Sequence, residues 1–92
     1  MIVRIMDEGQ VELAEADFVT LNAVYDELLL KIESGDEVAI RRMLRMLLDS
    51  VRDLAVPLPE DAREPSELIL PSVDASVDEI RSVASYFPSL AP

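Results

Sequence analysis

The chain has 92 residues, of which half are hydrophobic, and its formal net charge is −11 at pH 7. A chain of this length supports one hydrophobic core, so residues 1–92 are predicted to form a single domain. It contains no cysteine and no histidine, which excludes disulfides and the usual soft-metal and acid–base sites. The excess of carboxylates disfavours binding to nucleic acid and direct docking on an anionic bilayer, because both surfaces are negatively charged.

The charge is unevenly distributed along the chain. Residues 1–35 carry two basic and eight acidic side chains, residues 36–56 carry four of each, and residues 57–92 carry two and seven. This pattern favours a protein partner with a basic surface. Because no long uncharged apolar run and no leader resembling a signal peptide are visible, we expect a cytoplasmic protein.

Residues 1–14 are predicted to form a β-hairpin, because β-branched residues and then an alternating apolar pattern flank Asp7-Glu8-Gly9. A three-residue loop with Gly9 in the left-handed conformation sets the register. The predicted pairs are Met6 with Gln10, Ile5 with Val11, Arg4 with Glu12, and Val3 with Leu13. In this register the branched aliphatic residues share one face, and Arg4 forms an ion pair with Glu12 on the other.

Residues 15–55 are predicted to form a helical hairpin. The apolar stripe of the first helix comprises Phe18, Leu21, Tyr25, Leu28 and Ile32, widened by Val24 and Leu29. The stripe of the second comprises Ile40, Met43, Leu44, Leu47, Leu48, Val51 and Leu54. Gly35 is placed to end the first helix in the left-handed conformation, and Asp36 to cap the second. So short a connection makes the two helices antiparallel.

Residues 56–75 are predicted to form an extended arm bounded by prolines. Its segment Leu68–Leu70 lies between two prolines and is either a third strand on the hairpin or a packed extended segment. Ser76 and Glu79 have the spacing of a capping box, which predicts a short helix over residues 76–87. The apolar positions of this helix are Val77, Ile80, Val83, Ala84 and Phe87. The predicted fold class is therefore α+β, with the hairpin packed on the helical pair.

No pattern in the sequence indicates catalysis. No serine occupies a nucleophile elbow, and Lys31, the only lysine, has no apolar pocket in view that would lower its pKa. The acidic pairs Asp7-Glu8, Glu60-Asp61 and Asp78-Glu79 stand at adjacent positions, where carboxylates diverge, and none forms a calcium-binding loop. We therefore expect no enzymatic activity, no metal and no cofactor.

The arginines of the second helix form a separate cluster. Arg41, Arg45 and Arg52 are spaced by four and seven residues, which places them on one solvent-facing edge. One interpretation is a salt-bridged surface, in which Glu37 pairs with Arg41 and Asp49 with Arg45 and Arg52. The other is a basic stripe that receives an acidic partner helix. The balance of charges favours the first interpretation.

A second local pattern lies in the hairpin, where Gln10 at the strand start has no evident structural role. The candidate partner-binding residues are therefore Arg4, Glu8, Gly9, Gln10, Arg41, Arg45 and Arg52. The alternative that the amphipathic helices lie on a membrane is disfavoured, because their polar faces are too acidic.

Several segments also occur in a familiar order. They are Met1-Ile2-Val3-Arg4-Ile5, Glu8-Gly9-Gln10, Leu21-Asn22, Gly35-Asp36-Glu37, Leu54 with Pro57 and Pro59, and Pro65-Ser66-Glu67-Leu68-Ile69-Leu70-Pro71 leading into Asp74-Ala75-Ser76. Together they resemble the PspA-associated protein family, PspAA, over almost the whole chain. The chain departs from that pattern at Met6-Asp7 and in the tail from Tyr86.

The resemblance implies an accessory protein of the phage-shock, or PspA, envelope-stress system. Such a protein would bind a PspA-type coiled-coil protein, and would reach the inner face of the cell membrane only through that partner. The resemblance supplies no active site. From the charge layout we expect electrostatic steering followed by apolar docking, with Arg41, Arg45 and the hairpin edge as contacts.

Two other functions remain open at this stage. A self-assembling structural protein could pair chains through Leu68–Leu70 or through the hairpin edge, giving a homo-oligomer. A small winged-helix transcriptional regulator or antitoxin would also combine helices with a hairpin. It would need a basic recognition helix, and residues 36–56, which contain the second helix, carry no net charge.

Overall fold

The computed structural model of the chain describes residues 1–86, and the burial of side chains over residues 1–83. Its elements in chain order are β1 (Ile2–Ile5), β2 (Gly9–Glu12), α1 (Glu15–Ser34), α2 (Glu37–Leu54), β3 (Val56–Pro57), β4 (Leu68–Leu70) and α3 (Val77–Tyr86). The α+β fold class is confirmed. Phe87, predicted as an apolar position of the last helix, lies outside the described residues.

The strands form one mixed sheet in the order β3-β2-β1-β4. β4 pairs in parallel with β1, so the third strand that the sequence left open is present. The remaining strand, β3, was not predicted, because a strand of two residues, one of which is a proline, carries too little pattern. Pro57 is tolerated there because β3 lies at the edge of the sheet, and the following Leu58 amide donates to the Gln10 carbonyl at 3.0 Å.

The pairing of β1 with β2 differs from the predicted register by two residues. The observed pairs are Ile2 with Glu12, Val3 with Val11, Arg4 with Gln10, and Ile5 with Gly9. The predicted pairing of Arg4 with Glu12 is therefore wrong. A shift of two residues leaves each side chain on its face, so Val3, Ile5 and Leu13 are still buried together.

The hairpin turn explains this shift. Asp7, rather than Gly9, is the left-handed residue of the loop, with φ of 70°. The Glu8 amide donates to the Ile5 carbonyl at 3.0 Å and closes the turn one residue earlier than predicted. Aspartate is among the residues that tolerate this conformation. Gly9, with φ of 116°, becomes the first residue of β2.

The helical hairpin is confirmed, and its connection has the predicted chemistry. Gly35 adopts φ of 75°, and its amide donates to the carbonyls of Lys31 and Ile32 at 3.2 Å. The Asp36 side chain accepts a hydrogen bond from the Ala39 amide at 3.2 Å, which caps α2.

One hydrophobic core lies between the sheet and the helices. Its buried members are Val3, Ile5, Leu13, Leu21, Tyr25, Leu28, Ile32, Ile40, Leu44, Leu47, Leu48, Val51, Leu68, Leu70, Ala75 and Ile80. Leu54, predicted as part of the α2 stripe, is exposed, because the helix ends at that residue. The α3 cap is present as predicted, since the Glu79 amide donates to the Ser76 hydroxyl at 3.1 Å.

Candidate functional site

A groove of about 460 Å³ lies between the C-terminal end of α2, the hairpin turn and residues 57–63. Its lining includes five of the seven predicted partner-binding residues: Arg4, Glu8, Gly9, Gln10 and Arg52. The groove therefore joins two patterns that are separate in the sequence, the hairpin signature and the last arginine of α2.

Arg52 connects α2 to the hairpin turn. Its Nε donates to Glu8 Oε1 at 2.9 Å, and its Nη2 forms a second, short contact with Glu8 Oε2. Its Nη1 also donates to Asp49 Oδ1 at 3.1 Å. The hydrogen bonds from Arg52 lower the pKa of the Glu8 carboxyl below its ordinary value, and the same bonds raise the pKa of Arg52. This bidentate pair forms one wall of the groove.

Gln10 has a structural role that the sequence did not reveal. Its side chain is buried on the face of β2 away from the core, where Nε2 donates to the Glu64 carbonyl and, at 2.8 Å, to Ser66 Oγ. Its Oε1 accepts from the Glu64 amide at 3.1 Å. These bonds hold residues 64–66 against the sheet, so Gln10 is an anchor of the chain that leads into β4.

The groove contains basic groups without a carboxylate partner. Arg4 is half-buried and, within residues 1–86, makes no hydrogen bond or ion pair through its guanidinium. Arg63 Nη1 donates to the backbone carbonyls of Glu60 and Ala62, at 3.2 and 2.8 Å, which leaves its charge uncompensated. Sequence reasoning missed Arg63, because a single arginine in a polar loop carries no pattern.

The charge of the groove is opposite to that of the chain. Three of the eight basic side chains line it, Arg4, Arg52 and Arg63, against the two carboxylates of Glu8 and Glu60. Because Arg52 already pairs with Glu8, two cations, Arg4 and Arg63, remain in the lining against one carboxylate, Glu60. The arrangement is suited to binding a carboxylate of another molecule, by charge-assisted hydrogen bonds.

The two other predicted residues, Arg41 and Arg45, do not line the groove. Arg41 forms the predicted pair with Glu37 at 3.3 Å, and it also donates to the Ala75 carbonyl at 3.0 Å, which ties α2 to the turn before α3. The predicted pair between Asp49 and Arg45 is absent from the described part of the chain, because Asp49 contacts Arg52 instead. Arg45 is therefore exposed, and it lies between Arg41 and Arg52, which both form ion pairs.

Two features of residues 1–86 bear on other functions. None of the helices over residues 1–86 has the combination of length and hydropathy that crossing a bilayer requires. In the same part of the chain, no three acidic, histidine or cysteine side chains converge in a geometry able to hold a metal ion.

Comparison with known proteins identifies a family. No curated protein and no solved structure matches the chain. The family model of the PspA-associated proteins, PspAA, matches residues 1–86, which include all the elements and the groove. The chain therefore belongs to the PspA-associated protein family.

Proposed function

We propose that this protein is a non-catalytic accessory module of the PspA system that binds a PspA-type coiled-coil protein. The observation that carries the proposal is the family match over residues 1–86, since the name of the family refers to association with PspA. The chemistry of the groove supports it, because its arginines can bind a carboxylate of another protein by charge-assisted hydrogen bonds.

The first step of the proposed mechanism is electrostatic steering. The net charge of −11 attracts a basic surface over a distance of about 8 Å at physiological ionic strength. Helices of a coiled-coil partner that carry lysine and arginine are therefore drawn to the protein. The association rate is expected to fall as salt concentration rises.

The second step is local recognition in the groove. Arg4 and Arg63 lack carboxylate partners within residues 1–86, so an aspartate or glutamate of the partner gains hydrogen bonds there without breaking an internal ion pair. Arg45 is available in the same way on the outer edge of α2. Arg41 and Arg52 already form ion pairs with carboxylates of this chain. Their proposed contribution is therefore to position the surface and not to contact the partner.

The proposal gives the protein no membrane contact of its own. Its acidic surface repels anionic lipids, so it reaches the membrane only through the partner. In co-sedimentation with anionic vesicles, the protein alone is expected to remain in the supernatant. It is expected to pellet when the PspA-type protein is added.

The binding itself is tested by isothermal titration calorimetry with the full-length PspA-type protein of the same organism. The double variant Arg4→Glu, Arg63→Glu reverses both free charges of the groove and is expected to weaken binding by about tenfold or more, equivalent to about 1.4 kcal/mol. The matched control is Arg42→Glu, an exposed arginine of α2 outside the groove, which is expected to change affinity by less than about twofold.

Two results would contradict the proposal. If the wild-type protein does not bind the PspA-type protein at physiological salt, the function is wrong. If it binds and the groove variant binds equally well, the function stands but the groove is not its recognition site.

A further inference from the structure

The outer face of α1 carries an exposed row of apolar residues, although it points away from the core. Val19 is 71% exposed and Leu30 is 57% exposed, and Ala16 and Ala23 are also exposed. Isolated exposed apolar residues are normal on a protein surface. These four, however, fall on a single stripe of the helix, which we call the outer stripe.

The spacing of the outer stripe is that of a helix-packing seam. Ala16, Val19, Ala23 and Leu30 are separated by three, four and seven residues, which are a and d positions of a heptad repeat. The stripe extends over about 21 Å of helix. Its two alanines leave room for another helix to approach closely, and Val19 and Leu30 supply the larger groups that fill gaps between helices.

The stripe is independent of the core. The buried residues of α1 are Leu21, Tyr25, Leu28 and Ile32. At 100° per residue, their mean direction is about opposite to that of the outer stripe. The fold of this chain therefore does not require apolar side chains at these exposed positions, and a helix that is apolar on both faces normally has a neighbour on both.

The charges around the stripe decide what kind of neighbour fits. Glu15 and Glu33 border it on one side and Glu27 on the other, and Asp26 occupies the d position between Val19 and Leu30. A second copy of α1 packed here would bring carboxylates against carboxylates. An anionic bilayer would be repelled in the same way. A helix whose apolar stripe is flanked by lysine or arginine would be attracted.

We propose that the outer stripe of α1 docks an amphipathic, basic helix of the PspA-type partner, with a lysine or arginine of that helix facing Asp26. This inference rests on the proposed function and adds to it a second contact surface, apolar where the groove is polar. The stripe supplies the apolar docking that follows electrostatic steering.

The first test replaces the two large apolar side chains of the outer stripe and leaves its charged residues unchanged. The variant Val19→Ser, Leu30→Ser is expected to bind the full-length PspA-type protein at least about tenfold more weakly in calorimetry. The matched control is Val38→Ser, Met46→Ser, which removes two apolar side chains of α2 that are 69% and 49% exposed. Its affinity is expected to stay within about twofold of the wild type. Unchanged far-ultraviolet circular dichroism verifies that both variants fold.

The second test uses the absence of cysteine from the chain. Ala23→Cys places a single thiol in the outer stripe, and Val38→Cys places one on α2. Saturating PspA-type protein is expected to slow maleimide labelling of the first thiol by about tenfold or more, because docking excludes the reagent, and to leave the second unchanged. Equal labelling of both thiols would overturn the inference.

The outcomes separate this inference from the proposed function. If the wild type does not bind the PspA-type protein, the proposed function fails and the inference fails with it. If the wild type binds, and the stripe variant binds as tightly as its control, only the docking inference fails. A wild-type dimer in light scattering that becomes a monomer in the stripe variant would identify a second copy as the occupant, and would overturn the inference as well.

Discussion

The two helices of the hairpin bury similar stripes but have very different outer surfaces. In α2 the residues opposite the core are mostly charged, and its arginines reach out to the hairpin turn and to the turn before α3. In α1 four of the residues opposite the core are exposed and apolar, and none of its side chains lines the groove. Contacts within the described residues account for Arg41 and Arg52 of α2, whereas the core of the chain does not use the outer stripe of α1.

The largest effect expected from this comparison is on stability. Leu44→Ala removes a fully buried side chain of α2 and is expected to lower the free energy of unfolding by about 2–5 kcal/mol. Leu30→Ala, on the outer stripe of α1, is expected to change it by less than about 0.5 kcal/mol. Urea denaturation followed by circular dichroism measures both, with a single transition expected if residues 1–92 form one domain. A large loss for Leu30→Ala would give the outer stripe a folding role.

The next effect concerns the side of the groove opposite α2. Gln10→Ala leaves the Glu64 amide and carbonyl without their side-chain partner and is expected to cost about 1–3 kcal/mol. Hydrogen exchange of residues 64–67 is expected to become faster. Glu12→Ala, an exposed change in the same strand, is the control and is expected to stay within about 0.5 kcal/mol. Unchanged exchange in the Gln10 variant would show that another contact holds this segment.

The helix caps provide a smaller contrast. The Asp36 side chain caps α2, whereas Ala14, the N-cap residue of α1, makes no side-chain hydrogen bond. Asp36→Ala is expected to lower the free energy of unfolding by about 0.5–2 kcal/mol, and Ala14→Ser to raise it by about 0.5–1 kcal/mol. Thermal unfolding measures both changes. A stabilising Asp36→Ala would contradict the assigned cap.

The smallest effect is the pH dependence of the contact between Arg52 and Glu8. The pKa of Glu8 is lowered in the folded protein. The contribution of its ion pair to the free energy of unfolding is therefore complete above the ordinary pKa of 4.5, and it is lost as pH falls through the lower pKa of the folded state. The side chains are 37% and 38% exposed, so the contribution is at most about 1 kcal/mol and decreases with salt. Glu8→Gln is expected to flatten the stability profile below about pH 5. Asp78→Asn, on α3, is the control. An identical profile for Glu8→Gln and the wild type would remove the assigned role.

Local patterns made several parts of the fold predictable. Gly35 and Asp36 specify where one helix ends and the next begins, because a left-handed cap and an N-cap depend on adjacent residues only. The apolar stripes predicted which faces of the helices are buried. The hairpin register was not predictable from alternation, because registers that differ by two residues place the same side chains on the same faces.

The candidate site was only partly visible for a similar reason. Glu8, Gln10 and Arg52 were selected as separate residues, and their roles depend on contacts across 44 to 56 positions of the chain. Arg63 was missed because its position in the groove is set by the turn at residues 59–62, where the Ala62 amide bonds to the Pro59 carbonyl. No local pattern encodes such a contact.

The order of its segments indicated the family. The sequence by itself also determined the N-terminal β-hairpin, the helical hairpin and the acidic charge. These follow from composition, periodicity and caps, which act over one or two turns of chain. Only the tertiary structure decided the strand order, the register, the anchoring by Gln10 and the grouping of three arginines in one groove. Those features depend on how distant segments pack, because burial and pairing free energies are shared among residues that no local pattern connects.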